Sequence, residues 1–305
     1  METWILITIA AAFLQNVRSA MQKHLKGRLG TTGATFVRFG FGVPFALVYM
    51  GILALVLARP LPVPGAVFFL WAIAGGIGQI AATFLLVHLF SFRNFAVGTA
   101  YSRTEPAQAA IFALVFLGER ASAGTLVAIA ISVAGVMIIS VARSVVSLRT
   151  LATSVFSRTA AIGLLSGTFF GISAVAYRSA SLALAPTLPA PDYMMQASYT
   201  LAFVIVLQTV LMLGWILLRE RDELPRIAGA WRPALLVGFV GATASFGWFM
   251  AMTLQQAAVV KALAQVEMLF TFASTVFIFK ERINRLEIAG CALIVVGVLA
   301  LLAFG

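Results

Sequence analysis

Ten predominantly apolar runs, each near the length that crosses a bilayer, follow one another with little chain between them. They lie at about 2–22, 31–58, 65–92, 95–117, 122–142, 159–184, 193–218, 233–256, 258–280 and 286–304. A membrane-spanning helix needs about 20 such residues, because roughly 30 Å of hydrocarbon must be covered at about 1.5 Å per residue. Composition agrees. Of the 305 residues, 62% are hydrophobic and 10% charged, against roughly 45–50% and 25% in soluble domains. The expected fold class is all-α integral membrane, with ten transmembrane helices. The N-terminal "METWILITIAAAFL" carries an acid where a signal peptide carries a basic region, so it reads as a retained first helix. The single cysteine, Cys291, excludes an internal disulfide framework or a Cys-based metal cluster and reads as a small packing residue. No cofactor is expected.

A net charge of +11 would direct a soluble chain toward nucleic acid, but in a membrane chain its distribution over short loops carries the information. When each loop is numbered by the helix it follows, the odd loops hold Lys23, Lys26, Arg28, Arg93, Arg143, Arg149, Arg158, Arg219, Arg221, Arg226, Arg232, Lys280, Arg282 and Arg285. The even loops hold Arg59 and Arg120. The positive-inside rule then places the odd loops in the cytoplasm of a cell (inner or plasma) membrane and both termini outside. Anionic lipid headgroups are the expected partner of this charge, and nucleic acid is not.

A shift of 162 residues aligns the chain with itself without a gap. Residues 75–84, "GGIGQIAATF", fall over 237–246, "VGFVGATASF", and "LGER" at 117–120 falls over "FKER" at 279–282. Between 76–140 and 238–302, 13 of 65 positions are identical. They include Gly76/Gly238, Phe84/Phe246, Glu105/Glu267, Glu119/Glu281, Arg120/Arg282 and Gly135/Gly297. The chain therefore divides into residues 1–142 (helices 1–5), a basic cytoplasmic linker at 143–158, and 159–305 (helices 6–10). Five is odd, so the second repeat enters the membrane from the opposite side. Inverted five-helix repeats of this kind are a plan of secondary transporters, with substrate bound near the midplane.

The order Glu-Pro, an apolar turn or two, "LGER", then a helix with Gly124 and Gly135 resembles the core of EamA-type members of the drug/metabolite transporter superfamily. The second copy, "VEMLFTFASTVFIFKERINRLEIAGCALIVVGVLAL", resembles the same signature, so the likeness covers nearly the whole chain. It implies a carrier, often an exporter, of small metabolites working without ATP. The chain departs from the pattern in two ways: Met268 replaces the proline in the second copy, and the loop charges place the termini outside rather than in the cytoplasm.

Ionisable residues at mid-bilayer cost about 2.5–3.5 kcal/mol on insertion scales, so they face a cavity or a partner. Glu105 and Glu267 stand at equivalent positions near the middle of the fourth and ninth runs. As a functional pair they line one central cavity and bind substrate or a coupling proton; as structural residues each bonds a neighbouring helix. Arg103 lies two residues before Glu105, about 200° around a regular helix, so the two require separate partners. Glu105 is expected to share a face with Tyr101, Ser102 and Gln108, and Gln265, the repeat equivalent of Arg103, with Lys261. Pro106 removes the donor for the Ser102 carbonyl and disfavours helical geometry at Glu105. It marks a hinge, a substrate-binding break or a packing kink in the fourth helix, and the ninth helix has Met268 at the equivalent position.

Arg18 and Arg38 should lie at similar depth toward the cytoplasm, where they either snorkel or together attract carboxylates or phosphates. Arg178, beside Tyr177, reads as an interfacial anchor. Within the runs, Arg18, Arg38, Arg103, Arg178 and Lys261 outnumber Glu105 and Glu267, which tilts the substrate toward an anion or a zwitterion. Trp248, Phe246 and Ser245, with Gln79 and Thr83, are candidate pocket walls, although aromatic packing is the commoner role. The recurrence of Gly163, Gly167 and Gly171 is a small-xxx-small face for close packing. The expected substrate-binding set is Glu105, Glu267, Arg103, Gln265, Tyr101, Arg38, Gln79, Trp248 and Lys261, with Pro106 as hinge and no metal ligands.

An integral-membrane transferase would need clustered His, Asp or Glu, often with a metal. The histidines are His24, in a basic loop, and His88, alone in the third run, so no enzyme is expected. A non-transporting sensor or scaffold is the other alternative. The expectation is a secondary transporter exporting a small polar metabolite, an amino acid or an organic anion, as one half rocks against the other. A small-molecule substrate, membrane lipids and protons as coupling ion are the expected partners, and a homodimer is left open.

Overall fold

The computed structural model describes residues 2–92, 95–142, 156–277 and 284–304. Every regular element among them is helical. In chain order these are α1 (Thr3–Leu25), α2 (Thr31–Gly40), α3 (Val43–Gly51), α4 (Ala66–Leu89), α5 (Phe95–Ser102), α6 (Glu105–Leu117) and α7 (Ala123–Ala142). They continue with α8 (Arg158–Ala183), α9 (Tyr193–Arg219), α10 (Glu223–Gly229), α11 (Trp231–Leu254), α12 (Ala257–Leu263), α13 (Glu267–Phe277) and α14 (Arg285–Phe304). The second "LGER"-like motif and several loop cations (Arg93, Arg143, Arg149, Lys280 and Arg282) lie outside the described residues.

Eight stretches are long and apolar enough to cross a membrane: Thr3–Leu25, Thr31–Val56, Ala66–Leu89, Ala123–Ser140, Arg158–Thr187, Tyr193–Arg219, Trp231–Leu254 and Arg285–Phe304. The fourth and ninth expected helices are each interrupted, as α5–α6 and α12–α13, and neither piece reaches spanning length alone. Large apolar side chains stand outward along the long stretches, among them Leu55 at 86% exposure, Val56 at 74% and Leu70 at 67%. A face like that is stable against lipid, and helices satisfy their own backbone groups there.

Helix ends follow local chemistry. Gly118 of "LGER" adopts φ 68°, the left-handed region where glycine carries no Cβ penalty, and ends α6 with Gly118 N donating to Leu114 O at 3.1 Å. Asp192 caps α9 by accepting from Met194 N at 3.0 Å and Met195 N at 3.1 Å. The same carboxylate receives Arg59 Nη1 at 2.9 Å.

The chain packs as two compact units, Met1–Ile80 with Ser173–Gln255 and Ala81–Ile172 with Gln256–Gly305. They are not the sequence repeats; each draws on both. In the first unit α1 packs on α11, and α9 on α2, α3 and α11. In the second, α7 packs along α14, α5 against α7, and α12 against α6.

Glycine sets the closest approaches of the second unit. A Cβ at Gly163 would stand 2.0 Å from Gly98 O, one at Gly167 2.9 Å from Ser102 O, and one at Gly171 3.2 Å from Ala109 N. The three-glycine face of α8 therefore lies directly on the α5–α6 backbone. Gly135 and Gly290 do the same for α7 and α14, each with its missing Cβ 2.7 Å from the other's carbonyl oxygen. Gly163→Ala should destabilise the protein by about 1–3 kcal/mol, the usual cost of overpacking. Gly214→Ala, whose Cβ meets nothing within 4 Å, should leave stability unchanged or slightly raised. Thermal unfolding of the two variants in detergent checks this, and equal melting temperatures would contradict it.

Candidate functional site

Two helix interruptions organise the second unit. At the first, α5 stops at Ser102 and α6 starts at Glu105, with Arg103 and Thr104 in a turn. Pro106 has no N–H for the Ser102 carbonyl, so the chain tightens: Arg103 N donates to Ala100 O at 3.1 Å and Thr104 N to Tyr101 O at 3.2 Å. Thr104 O then accepts from Ala107 N and Gln108 N, which starts α6 with proline in its tolerated first-turn position.

The second interruption is a 3-10 turn at Ala264–Val266 between α12 and α13, at the positions equivalent to the first. A proline is therefore not required for the break, since Met268 stands where the first copy has Pro106. Without a proline here, tertiary bonds accompany the break: Gln265 Nε2 donates to Arg103 O at 3.2 Å, so one interruption's side chain satisfies the other's backbone.

Charges pair crosswise between the two broken helices. The Arg103 guanidinium grips Glu267 with both nitrogens, Nη1 to Oε2 at 3.1 Å and Nη2 to Oε1 at 3.3 Å. Lys261 Nζ lies 2.8 Å from Glu105 Oε1. Glu267 is the more enclosed acid, 4% exposed against 19% for Glu105. Arg103 is also within electrostatic reach of Glu105. Each interruption supplies one cation and one anion, so the four charges sum to zero. The forked Arg–carboxylate geometry is the stronger and more directional of the two contacts.

The Glu105 surroundings differ from a continuous helical face. Tyr101 packs in an apolar cluster with Val97, Ala100 and Ala160. Gln108 stays nearby, with Nε2 donating to Thr104 Oγ1 at 2.7 Å and Oε1 accepting from Thr168 Oγ1 at 2.6 Å. Thr168 had no place among the sequence-derived candidates. His88 lies between the rings of Phe84 and Phe92, with centroids at 6.3 and 5.1 Å. No grouping of three metal-ligating side chains occurs among the described residues.

The remaining candidates, Arg38, Gln79 and Trp248, belong to the first unit. Gln79 Oε1 accepts from Tyr177 Oη at 3.1 Å and from Gln208 Nε2 at 2.9 Å, and Gln208 Nε2 also donates to Gly76 O at 3.1 Å. Gly75 lets the Tyr177 ring lie flush on α4, since a Cβ there would stand 2.6 Å from it. Gln208 and the Tyr177 hydroxyl were missed; the signal for the first was an isolated amide in "VIVLQTVLML". Trp248 Nε1 donates to Gln15 Oε1 at 3.0 Å. Arg178 Nη1 donates to Met252 O and Gln255 O, both at 2.6 Å, and caps the C-terminal end of α11.

No curated protein matches the chain significantly. Solved structures do. One, a crystal structure titled only as that of a protein, superposes with a TM-score of 0.70 over 98% of this chain and 96% of that one at 16% identity, a likeness of fold. The model of the EamA-like transporter family matches twice, at residues 2–141 and 157–303. With both copies accounting for nearly all of its length, the chain belongs to the EamA-like transporter family.

Proposed function

We propose that this protein is a secondary transporter that exports a small polar metabolite, an amino acid or an organic anion, across the cell membrane by alternating access. The observation that carries the reading is the pair of matched interruptions, 162 residues apart in sequence and joined crosswise by Arg103–Glu267 and Lys261–Glu105. Discontinuous helices at membrane depth are where transporters place substrate and coupling ions. Counting α5–α6 and α12–α13 as one crossing each makes ten crossings, in two inverted five-helix repeats joined by the 143–158 linker. That arrangement supports external termini when taken with the loop charges.

Ion pairs of this kind act as a switch for a proton. An ionised Glu267 holds Arg103, and a protonated Glu267 offers one neutral acceptor in its place and releases the guanidinium. The same holds for Glu105 and Lys261. Proton binding and opening of the cross-brace are thereby linked, and a pH gradient drives the cycle without ATP.

A metabolite-wide comparison of cells with and without the protein should reveal a solute that accumulates inside the deletion strain; no change in any solute would sink the transport reading. With that solute in proteoliposomes, an imposed pH gradient should drive its movement by the parent protein and not by the Glu105→Gln, Glu267→Gln double variant. Coupling fully retained in that variant would dismiss the proton role. A reporter fused after Gly305 should be active only when it works outside the cytoplasm, and cytoplasmic activity would reverse the orientation.

A further inference from the structure

The turn from α9 to α11, in the first unit, sorts its charges by face. Between positions 219 and 232 it sets Arg219, Arg221, Arg226 and Arg232 against Glu220, Asp222 and Glu223. All four arginines stand exposed, whereas Glu220 and Glu223 bond to the start of α2. Glu223 is only 5% exposed, and its Oε2 accepts from Gly30 N at 2.9 Å. Glycine leaves room for that carboxylate: a Cβ at Gly30 would stand 2.7 Å from Oε1, and one at Gly33 would collide with Oε2. A carboxylate there also complements the positive end of the helix dipole. Glu220 Oε1 accepts from Thr32 Oγ1 and from Trp215 Nε1, both at 3.0 Å. The two acids thus clasp the start of α2, the helix that carries the enclosed Arg38.

With those acids turned inward, the outward side is cationic and flanked by indoles. Trp215, near the end of α9, is 55% exposed, and Trp231, at the start of α11, is 51% exposed. Leu217, Leu218, Leu235 and Leu236 are exposed close to them in sequence. Indoles among apolar side chains favour the boundary between hydrocarbon and headgroups, where a lipid fits better than an acidic soluble protein. Guanidinium forks at that depth match phosphodiester oxygens. The fold positions them: Arg221 Nε donates to Leu217 O at 2.6 Å, and Arg232 Cζ lies 5.4 Å from the Trp231 ring centroid. Arg226 serves both sides, with Nη1 2.8 Å from Glu223 Oε1 and a side chain 57% exposed.

We propose that Arg219, Arg221, Arg226 and Arg232 form a docking surface for anionic phospholipid headgroups, and that lipid bound there tightens the hold of Glu220 and Glu223 on α2. Phosphates among the arginines offset their mutual repulsion and fix the segment that carries both acids. The proposal goes beyond transport and does not rest on it.

The test places full-length protein in nanodiscs of phosphatidylcholine alone or with increasing phosphatidylglycerol, and follows the melting temperature and backbone hydrogen exchange over residues 29–35. Phosphatidylglycerol should raise the melting temperature saturably by several degrees and slow that exchange severalfold. The triple variant Arg219→Gln, Arg221→Gln, Arg232→Gln should lose both responses, each measured against the same variant in phosphatidylcholine. Arg226 is left in place because its removal would disturb Glu223 directly. A control triple, Lys23→Gln, Arg158→Gln, Arg285→Gln, removes the same charge from exposed positions elsewhere and should keep both responses.

No response to phosphatidylglycerol overturns the docking surface. So does an equal loss in the control triple, which would show only the general attraction of a basic protein to an anionic bilayer. An equal rise with sodium phosphate in phosphatidylcholine at matched ionic strength would make the ligand a free anion and overturn the lipid assignment. A raised melting temperature with unchanged exchange over 29–35 overturns the link to α2.

Discussion

Inside a bilayer no water is available to complete a charge or an open backbone group, so each must find its complement within the protein. The structure around residues 103 and 267 is arranged by that requirement. Two helices are interrupted, which frees carbonyls and amides, and four ionisable side chains stand beside the gaps. Crosswise pairing answers the charges, Gln265 answers the Arg103 carbonyl, and the tightened turn answers the amides of Arg103 and Thr104. Gly167 brings α8 over the Ser102 carbonyl, covering the place where proline withholds a donor.

A brace built from ion pairs has a property that apolar packing lacks: its strength depends on protonation and on competing ions. Removing one partner of an enclosed pair leaves a charge without its complement, which typically costs about 3–5 kcal/mol, whereas removing both together is often close to neutral. In the proposed carrier cycle, the brace is closed in one charge state and open in another. The first unit works on different terms. Its interior polar groups are mainly amides, hydroxyls and a phenol in mutual hydrogen bonds, and its two enclosed arginines are drawn together over a glycine.

Much of this was legible in the residues. Apolar run lengths marked the eight long stretches, and Pro106 marked the first interruption to within three residues. The spacing of Arg103 and Glu105 required separate partners, and the glycine recurrence on α8 predicted close packing. The second interruption was not legible, because its cause is tertiary: without proline, the turn at Ala264–Val266 coincides with contacts to residues 162 and more positions away. A sum of charges over the runs does not say which cation meets which anion. Gln208, Thr168 and the Arg178 cap depend on which helices meet, information that one-dimensional periodicity does not carry.

The central claim is that Arg103 and Glu267 act as a unit holding the two broken helices together. A double-mutant cycle measures that directly: melting temperatures of Arg103→Met, Glu267→Met and the combined variant in one lipid environment. Each single change should lower the melting temperature by several degrees, and the combined variant should recover most of the loss. A combined variant that falls by the sum of the two single losses would contradict the account.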